Sequence, residues 1–470
     1  MMYLIAVGLG ALVSFETLIL FRNRFYTLIK ATVGLLNGML ADVSDEEKQK
    51  LLVAGLGKVL SNLFLVLLLV GLSISCFLII LYGYAFTQNL SLTDLDFEST
   101  AFYLSLAVGS IVPFVPLMMK KSESGYSESA RLLHQMILDN QNLGKFLLQL
   151  EQKIFLKKEN YEDASAIIVS GLARAGTTAL TTQLHELGDF YSLSYANMPF
   201  LMAPNLWRKI YNPKHAQKTE RSHGDGVEFG LDSIEALEEY FWKSQLSYSF
   251  IVSDSLKQHQ INEDSAEAYE NYQKLIRNAS DSGSVYLAKN NNMMLRYESI
   301  TDHCQNLKVI LLIRKPLDHA NSLLKQHQRF CKMQTEDSFV LEYMNWLGHH
   351  EFGLNQKEFR FDGQEPIGSE KESIDYWISI WTNYYTAVKK YLGDNQITLI
   401  PYEDFLEDPK MVFQELKGEL GLPLQEQEFD KFVPKKSELP KPTSPQKLEE
   451  ADRLYNEIVS KHSTIKKGLS

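Results

Sequence analysis

The apolar residues of this 470-residue chain are concentrated in three long runs near its start. The runs cover about residues 2–21, 60–86 and 101–119, each close to the roughly 20 residues that span a bilayer as a helix. The first run lacks the basic start and the small-residue cleavage site of a signal peptide. The pattern predicts a transmembrane region over residues 1–121 with three spans; the alternative is three buried helices of a soluble protein.

The distribution of Lys and Arg predicts the orientation of these spans. Six of these residues lie between the first two predicted spans, Lys120 and Lys121 follow the third, and none occurs from Val59 to Met119. By the positive-inside rule, everything after Lys121 is expected on the cytoplasmic side. We therefore expect an integral protein of a bacterial-type inner membrane with its catalytic part in the cytoplasm. A Golgi enzyme would have that part on the opposite side.

A helical pattern runs from about residue 127 to 158, within a juxtamembrane segment assigned to residues 122–160. Its apolar positions alternate steps of three and four, with Asn140 filling one position, as in a coiled-coil seam. One interpretation is a homodimer through residues 133–154. The other is an amphipathic helix that lies on the catalytic domain or on the membrane surface, favoured by Gly144 within only three heptads.

From residue 161 onward, short apolar runs rich in β-branched residues alternate with helical patterns. Strands are predicted at 166–170, 285–288, 307–313 and 396–400, and helices at 177–187, 317–327, 374–391 and 448–461. Residues 361–371 and 433–445 read as loops. The alternation predicts an α/β domain over residues 161–470, with a mostly parallel sheet flanked by helices.

Charge and cysteine content exclude several classes of function. The formal net charge of −11 argues against a nucleic-acid partner, which would need a basic face. The three cysteines, Cys76, Cys304 and Cys331, are far apart in the sequence, so neither a disulfide framework nor a zinc site is indicated. We expect no metal site.

The segment SGLARAGTTAL, residues 170–180, directly follows the first predicted strand. Gly171, Gly176 and Thr178 have the spacing of the phosphate-binding loop G-x-x-x-x-G-K-[ST], but Thr177 occupies the lysine position. A strand, a glycine turn and a helix that opens with two threonines bring backbone N–H groups to one point, which favours a phosphate-like dianion. The alternative is a turn with a structural role only.

The strand at 307–313 is followed by Arg314 in the segment LLIRKPLDHANSLL. In a kinase or nucleoside triphosphatase, an Asp at the end of such a strand would hold magnesium. An arginine there argues against metal-dependent phosphoryl transfer and for a ligand with two separate anionic groups.

The two segments together resemble the two signatures of the sulfotransferases, which use 3′-phosphoadenosine 5′-phosphosulfate. Arg314, Pro316, Asp318 and Ser322 match the family's R-x-P-x-D-x-x-x-S. The first loop matches P-[KR]-S-G-T-T except at Ala173 and Ala175, and its arginine is closer to the protein-tyrosine and bacterial branches. The resemblance covers residues 166–420 and includes IPYEDFLEDP, which looks like the family's late Y-E-D element.

The resemblance implies a P-loop-type sheet and assigns the residues that bind the donor. Its 5′-phosphosulfate is expected on the first loop and its 3′-phosphate on the second signature. The donor-binding residues implied are Gly171, Arg174, Ala175, Gly176, Thr177, Thr178, Arg314 and Ser322.

The catalytic residues follow from the charge that develops during transfer. Arg174 is expected to neutralise the leaving group, because a guanidinium keeps its proton and can fork across two oxygens. Lys289, at the end of a predicted strand, is the second candidate; a solvent-exposed lysine is the alternative. For the general base we expect His223 with Asp225 as its orienter or substitute, the alternative being an ordinary loop histidine.

The sequence thus predicts a membrane-anchored sulfotransferase that acts on a hydroxyl of a membrane-associated acceptor, a glycan or a glycolipid. The alternatives are a P-loop kinase acting on a membrane substrate, which would need magnesium, and a catalytically inactive membrane scaffold. Both nucleotide signatures are nearly intact, which an inactive scaffold would not require.

Overall fold

The computed structural model describes residues 2–41, 43–114, 128–156, 165–211, 219–220, 228–231, 233–280, 283–422, 424 and 440–463. The chain divides into two compact units, Met1–Met136 and Ile137–Ser470.

The first unit is built from helices that pack side by side. They are α1 (Met2–Leu20), α2 (Arg22–Leu40), α3 (Asp45–Thr87) and α4 (Thr100–Ile111). α1 runs antiparallel to the end of α3, and the Ser14 and Ser73 hydroxyls lie 2.6 Å apart between them. α2 continues antiparallel to the start of α3, where Leu35 packs against Gly55. The region between the first two predicted spans is therefore helical, not a loop.

Two helices of this unit, α1 and α3, are long and apolar enough to cross a membrane by length and composition. The prediction of three spans is not confirmed. α4, with the 3₁₀ turn Val112–Phe114 that follows it, is shorter than a span. Its α-helix stops at Ile111 before Pro113, which has no N–H group for a helical hydrogen bond. Residues 115–119, the end of the predicted third span, lie outside the described part of the chain.

The second unit contains a five-stranded parallel sheet with the order β2-β6-β1-β7-β9. These strands are β1 (Ala166–Ser170), β2 (Phe190–Tyr191), β6 (Val285–Lys289), β7 (Leu307–Ile313) and β9 (Ile397–Pro401). Two small sheets pair β3 (Thr219–Glu220) with β4 (Glu228–Phe229) and β5 (Ser255–Lys257) with β8 (Glu358–Arg360). The four predicted strands are confirmed, the last shifted by one residue.

α5 (Glu128–Leu138) belongs mostly to the first unit, and only its last two residues belong to the second. The helices of the second unit then begin with α6 (Gln141–Phe155). The described helices that follow are α7 (Thr177–Leu187), α8 (Pro204–Ile210), α9 (Glu239–Gln245), α10 (Glu263–Ala279), α11 (Tyr297–His303), α12 (Pro316–Glu336), α13 (Ser338–Leu347), α14 (Ile374–Val388), α15 (Tyr402–Glu407), α16 (Pro409–Leu420) and α17 (Pro445–His462). The predicted helices are all present; the second extends nine residues further, to Glu336 instead of residue 327. Residues 361–371 form the predicted loop, whereas most of the predicted loop 433–445 lies outside the described residues.

The juxtamembrane pattern forms two helices instead of one. The break falls at Asp139 and Asn140, and Asn140 is the N-cap residue of α6 instead of a coiled-coil register position. α6 lies on the catalytic domain: a side chain at Gly144 would contact the Tyr240 hydroxyl, and the buried Glu151 carboxylate accepts hydrogen bonds from the first amides of α8. The amphipathic alternative accounts for α6, and the homodimer through residues 133–154 stays a prediction.

The central strands are buried on both faces, as expected for a parallel sheet covered by helices. Ile167 and Val169 pack with Leu180 and Leu184 of α7, and Ile310 and Leu312 join the same core. In register, Val169 of β1 lies beside Lys289 and Ile310. The carboxyl ends of β1, β6 and β7 therefore meet at one edge of the sheet, where their loops lie together.

Candidate functional site

The loop between β1 and α7 adopts a conformation that depends on its two glycines. Gly171 has φ +139° and Gly176 has φ +97°, both in the region that favours glycine. A side chain at Gly171 would meet the Leu312 carbonyl oxygen at 2.8 Å, and one at Gly176 would collide with the Tyr402 ring. The chain can therefore pass close to β7 and α15 only because both residues lack a side chain.

Arg174 also has a left-handed backbone, with φ +72°. Few residues other than glycine adopt this conformation, and those that do are concentrated at binding sites held by their surroundings. Two residues later the chain enters α7, whose first residues are Thr177, buried, and Thr178, half-buried. A curled loop and a helix N-terminus thus meet at one point, which suits a dianion.

The second signature contacts this loop directly. Arg174 Nε donates to Ser322 Oγ at 3.4 Å, and Arg314 Nη1 donates to the Arg174 carbonyl oxygen at 3.1 Å. The Arg314 guanidinium lies over the Tyr402 ring, 4.8 Å from the ring centroid. The backbone carbonyl of Arg314 accepts a hydrogen bond from Trp381 Nε1 at 3.0 Å. Two cationic side chains separated by 140 positions in the sequence therefore share one site.

A third cation, Lys289, reaches the same loop from the end of β6. Its Nζ donates to Thr178 Oγ1 at 2.7 Å and to Glu235 Oε2 at 2.9 Å. Lys289 is only 7 % exposed, so it is not the solvent-exposed lysine of the alternative interpretation. A buried lysine with one carboxylate and one hydroxyl is well placed to interact with a bound anion.

Glu235 is the carboxylate of this site that the sequence reasoning missed. It is 8 % exposed and pairs with Lys289 beside the start of α7. A carboxylate that contacts a buried cation at an anion site can accept a proton from a substrate hydroxyl. The only signal in the sequence is a cluster of acidic residues in the segment DSIEALEEYF, otherwise rich in apolar residues.

A family model described as "Sulfotransferase domain" matches residues 164–468, more than half of the chain. The chain belongs to this family. It is a sulfotransferase whose catalytic domain includes the loop, the second signature and the late Y-E-D segment. No curated protein matches the sequence.

Three solved structures are similar to this sulfotransferase. One, from Mycobacterium tuberculosis, is 14 % identical, with 64 % of this chain and 79 % of that chain covered and a TM-score of 0.37. A second, from Mycobacterium avium, is 13 % identical, with 80 % and 86 % covered and a TM-score of 0.37. A third, from Alicyclobacillus acidocaldarius, is 17 % identical, with 63 % and 92 % covered and a TM-score of 0.30. All three are named sulfotransferases.

Nine of the residues predicted for the site lie together in the described part of the sulfotransferase. Arg174, Gly171, Ala175, Gly176, Thr177, Thr178, Arg314, Ser322 and Lys289 lie in the loop, in the second signature or in contact with them. His223 and Asp225, predicted as base and orienter, lie outside the described residues. Within the described ranges, no group of three His, Cys, Asp or Glu side chains could hold a metal ion.

The asparagines after Lys289 hold the carboxylates next to the site. Asn290 Nδ2 donates to Glu238 Oε1 at 2.8 Å, and its Oδ1 accepts from the Asn292 amide. Asn291 Nδ2 donates to Glu351 Oε1 at 3.0 Å. The segment is therefore both a turn and a row of amide donors to Glu238 and Glu351.

Buried charges support the helix that follows Glu235. Both nitrogens of the Arg296 guanidinium fork donate to Glu239, at 2.7 and 2.8 Å. Burial alone would raise the pKa of Glu239, but the charge and hydrogen bonds of Arg296 lower it below its ordinary value. Burial raises the pKa of Glu238, which accepts from the Tyr269 and Tyr286 hydroxyls. These contacts fix the start of α9, four residues from Glu235.

Proposed function

We propose that the protein transfers the sulfuryl group of 3′-phosphoadenosine 5′-phosphosulfate to a hydroxyl of a membrane-associated acceptor. The observation that carries the proposal is the contact between the two signatures, Arg174 to Ser322 and Arg314 to the Arg174 carbonyl. A ligand with two separate anionic groups needs two adjacent cationic sites, and this donor has a 5′-phosphosulfate and a 3′-phosphate.

The amides, hydroxyls and cationic side chains of the site suit these groups without a metal ion. The amides of the loop and the start of α7 would hold the phosphosulfate, with Arg174, Lys289 and the two threonine hydroxyls around it. Arg314 and Ser322 would hold the 3′-phosphate. Arginine suits this role because its planar fork matches phosphate oxygens and its charge persists at any working pH.

The transfer step places an acceptor hydroxyl in line with the bond that breaks. An oxygen–sulfur bond forms to the acceptor as the bond from sulfur to the bridging phosphate oxygen breaks, and adenosine 3′,5′-bisphosphate leaves. The acceptor proton passes to the Glu235 carboxylate, and Arg174 and Lys289 neutralise the charge that develops on the leaving phosphate. This transfer depends on the positioning of the reactants and on stabilisation of the developing charge, as in phosphoryl transfer.

Binding of adenosine 3′,5′-bisphosphate to the detergent-solubilised full chain tests the donor assignment. Calorimetry without divalent metal is expected to show tight binding to the wild type, and a loss of at least about a hundredfold in Arg314→Ala. The loss is large because Arg314 provides both the 3′-phosphate contact and the hydrogen bond to the loop carbonyl.

Arg329→Ala is the matched control, because Arg329 is an exposed arginine on α12, the same helix as Ser322. It is expected to bind the bisphosphate as the wild type does. A wild type that ignores the bisphosphate and binds magnesium-ATP would refute the donor assignment and support the kinase alternative.

The membrane part of the proposal rests on the exposed apolar surface of the first unit. α3 exposes large apolar side chains, among them Phe64 at 61 %, Leu67 at 60 % and Ile79 at 68 %. The part of α3 from residue 59 to 87 has no charged residue, and a helix segment with such a surface suits lipid. A protein anchored in this way meets acceptors that are themselves held at the membrane, and glycans and glycolipids offer the hydroxyls. The Lys and Arg distribution supports a cytoplasmic catalytic domain.

Membrane vesicles from bacteria that express the protein test the anchor, the orientation and the acceptor together. Sulfur-radiolabelled donor added outside is expected to label a lipid or glycan extract of inverted inner-membrane vesicles but not of right-side-out vesicles. The sulfuryl donor is charged and does not cross the bilayer, so only a catalytic domain on the outer surface of the vesicle can use it. Equal labelling of both vesicle types, or a protein recovered without membranes, would contradict the assignment.

A further inference from the structure

His319 lies one turn into α12, between the Arg314 and Ser322 of the second signature, yet it contacts the first loop. Its side chain is fully buried, and Nε2 lies 2.8 Å from the Ala173 carbonyl oxygen. A carbonyl oxygen can only accept, so Nε2 carries the proton. Nδ1 has no hydrogen-bond partner in the part of the chain that the structure describes. The ring therefore makes a single directed hydrogen bond, to the loop.

The environment keeps this ring neutral. Burial, together with the neighbouring charges of Arg314 and Arg174, lowers the pKa of His319 to about 3. At any physiological pH, His319 thus donates a hydrogen bond without adding a further positive charge beside the two arginines. It does not transfer protons in this state, and its position in the interior keeps it away from solvent.

The loop carbonyls are held one after another. The Leu172 carbonyl accepts from the Ala175 amide at 3.1 Å, the Ala173 carbonyl from His319, and the Arg174 carbonyl from Arg314 at 3.1 Å. A carbonyl oxygen turned toward a bound anion would repel it, whereas amide groups attract it. Holding the Ala173 and Arg174 carbonyls from α12 and from the residue that follows β7 therefore keeps the loop in a shape that binds anions.

We propose that His319 is a positioning residue. It lies on α12, the helix of the second signature, and holds the first anion-binding loop in place. Its hydrogen bond fixes the peptide that precedes Arg174, the residue with the left-handed backbone. The same residue belongs to the helix turn that leads to Ser322, so the two anionic groups of one ligand meet sites of fixed separation. This inference rests on the proposed donor.

Two amide variants of different length test the hydrogen bond. In His319→Gln the side-chain nitrogen can reach the position of Nε2, whereas in His319→Asn it is one methylene too short. Each is purified as the full chain in detergent, and calorimetry measures binding of adenosine 3′,5′-bisphosphate and of adenosine 3′-monophosphate. The second probe lacks the group that the loop holds, so it reports on the second signature alone.

We expect His319→Asn to bind the bisphosphate about tenfold more weakly, the factor that one net hydrogen bond to the loop is worth. The affinity of this variant for the 3′-monophosphate is expected to stay within about twofold of the wild type, since the contacts of the 3′-phosphate to Arg314 and Ser322 persist. His319→Gln is expected to restore bisphosphate binding. General damage to the fold would weaken both probes and would not be rescued by the longer amide.

Three results would overturn the inference: unchanged bisphosphate binding in His319→Asn, equal weakening of both probes, or no recovery in His319→Gln. If the Asn variant does not fold, as judged from tryptophan fluorescence, His319→Met replaces it as a variant without a donor. All five tryptophans lie in the second unit, so this signal reports on the catalytic domain. A wild type that does not bind the bisphosphate refutes the proposed donor instead.

Discussion

Replacing Glu235 with glutamine is expected to slow sulfuryl transfer by about 10²–10⁴-fold, the range that a general base contributes. Glutamine keeps the size and can still accept a hydrogen bond from Lys289, but it cannot take the acceptor proton. The donor contacts to the loop and to the second signature remain, so the affinity for adenosine 3′,5′-bisphosphate is expected to change little.

The rate is measured with sulfur-radiolabelled donor and dodecyl maltoside, a detergent that presents sugar hydroxyls at a micelle surface, and also as sulfate released to water. Glu238→Gln is the matched control, since this neighbouring buried carboxylate is bonded to Tyr269 and Tyr286 instead of Lys289. Similar rate losses in both variants would refute the role of Glu235 as base.

The central sheet could be predicted from the sequence because its strands are local signals. β1 and β7 are continuous apolar runs bounded by polar residues, and burial on both faces requires such runs. The glycine spacing of the loop is also a local signal, because Gly171 and Gly176 both adopt a positive φ, which is a property of their own backbone. Both features depend on residues that lie within a few positions of each other in the sequence.

Glu235 could not be predicted in this way, because its role depends on a contact across 54 positions of the chain. Nothing near Glu235 in the sequence distinguishes it from Glu238 and Glu239, which bond to a tyrosine pair and to Arg296. The three carboxylates differ only in the cation or hydroxyl that the fold brings to each. The same holds for His319, whose partner is the Ala173 carbonyl.

The single helix predicted over residues 127–158 was wrong because its period was read across a helix start, whereas the third predicted span is not confirmed. The three-and-four spacing after residue 127 continues across Asp139 and Asn140, but Asn140 favours a helix start and the chain uses it as one. The third apolar run is long enough for a span by composition, yet its α-helix ends at Ile111 before Pro113. Asn140 and Pro113 are thus the residues at which the described helices depart from the periodic and apolar patterns.

In the proposed reaction, Arg174 takes part both in donor binding and in charge stabilisation. Its backbone carbonyl is held by Arg314, its side chain reaches Ser322, and its left-handed backbone lies in the loop itself. The second signature therefore orients the guanidinium, although Arg174 itself belongs to the first loop. An interaction of this kind should matter more as charge moves onto the leaving group than in the ground-state complex.

Arg174→Met is accordingly expected to lower the rate of transfer by about 10²–10³-fold, the loss seen when one preorganised group at a developing charge is removed. Bisphosphate affinity should fall by a smaller factor, about tenfold, since the amides, Lys289 and Arg314 still hold the product. Arg174→Lys keeps the charge but lacks the Nε contact to Ser322 and the planar fork, so an intermediate rate is expected. Both are measured with the radiolabelled donor and by calorimetry, with Arg329→Ala as the control for loss of one positive charge. If rate and affinity fell by the same factor in Arg174→Met, the side chain would bind the donor without stabilising the leaving group, and Lys289 would be left as the cation that does.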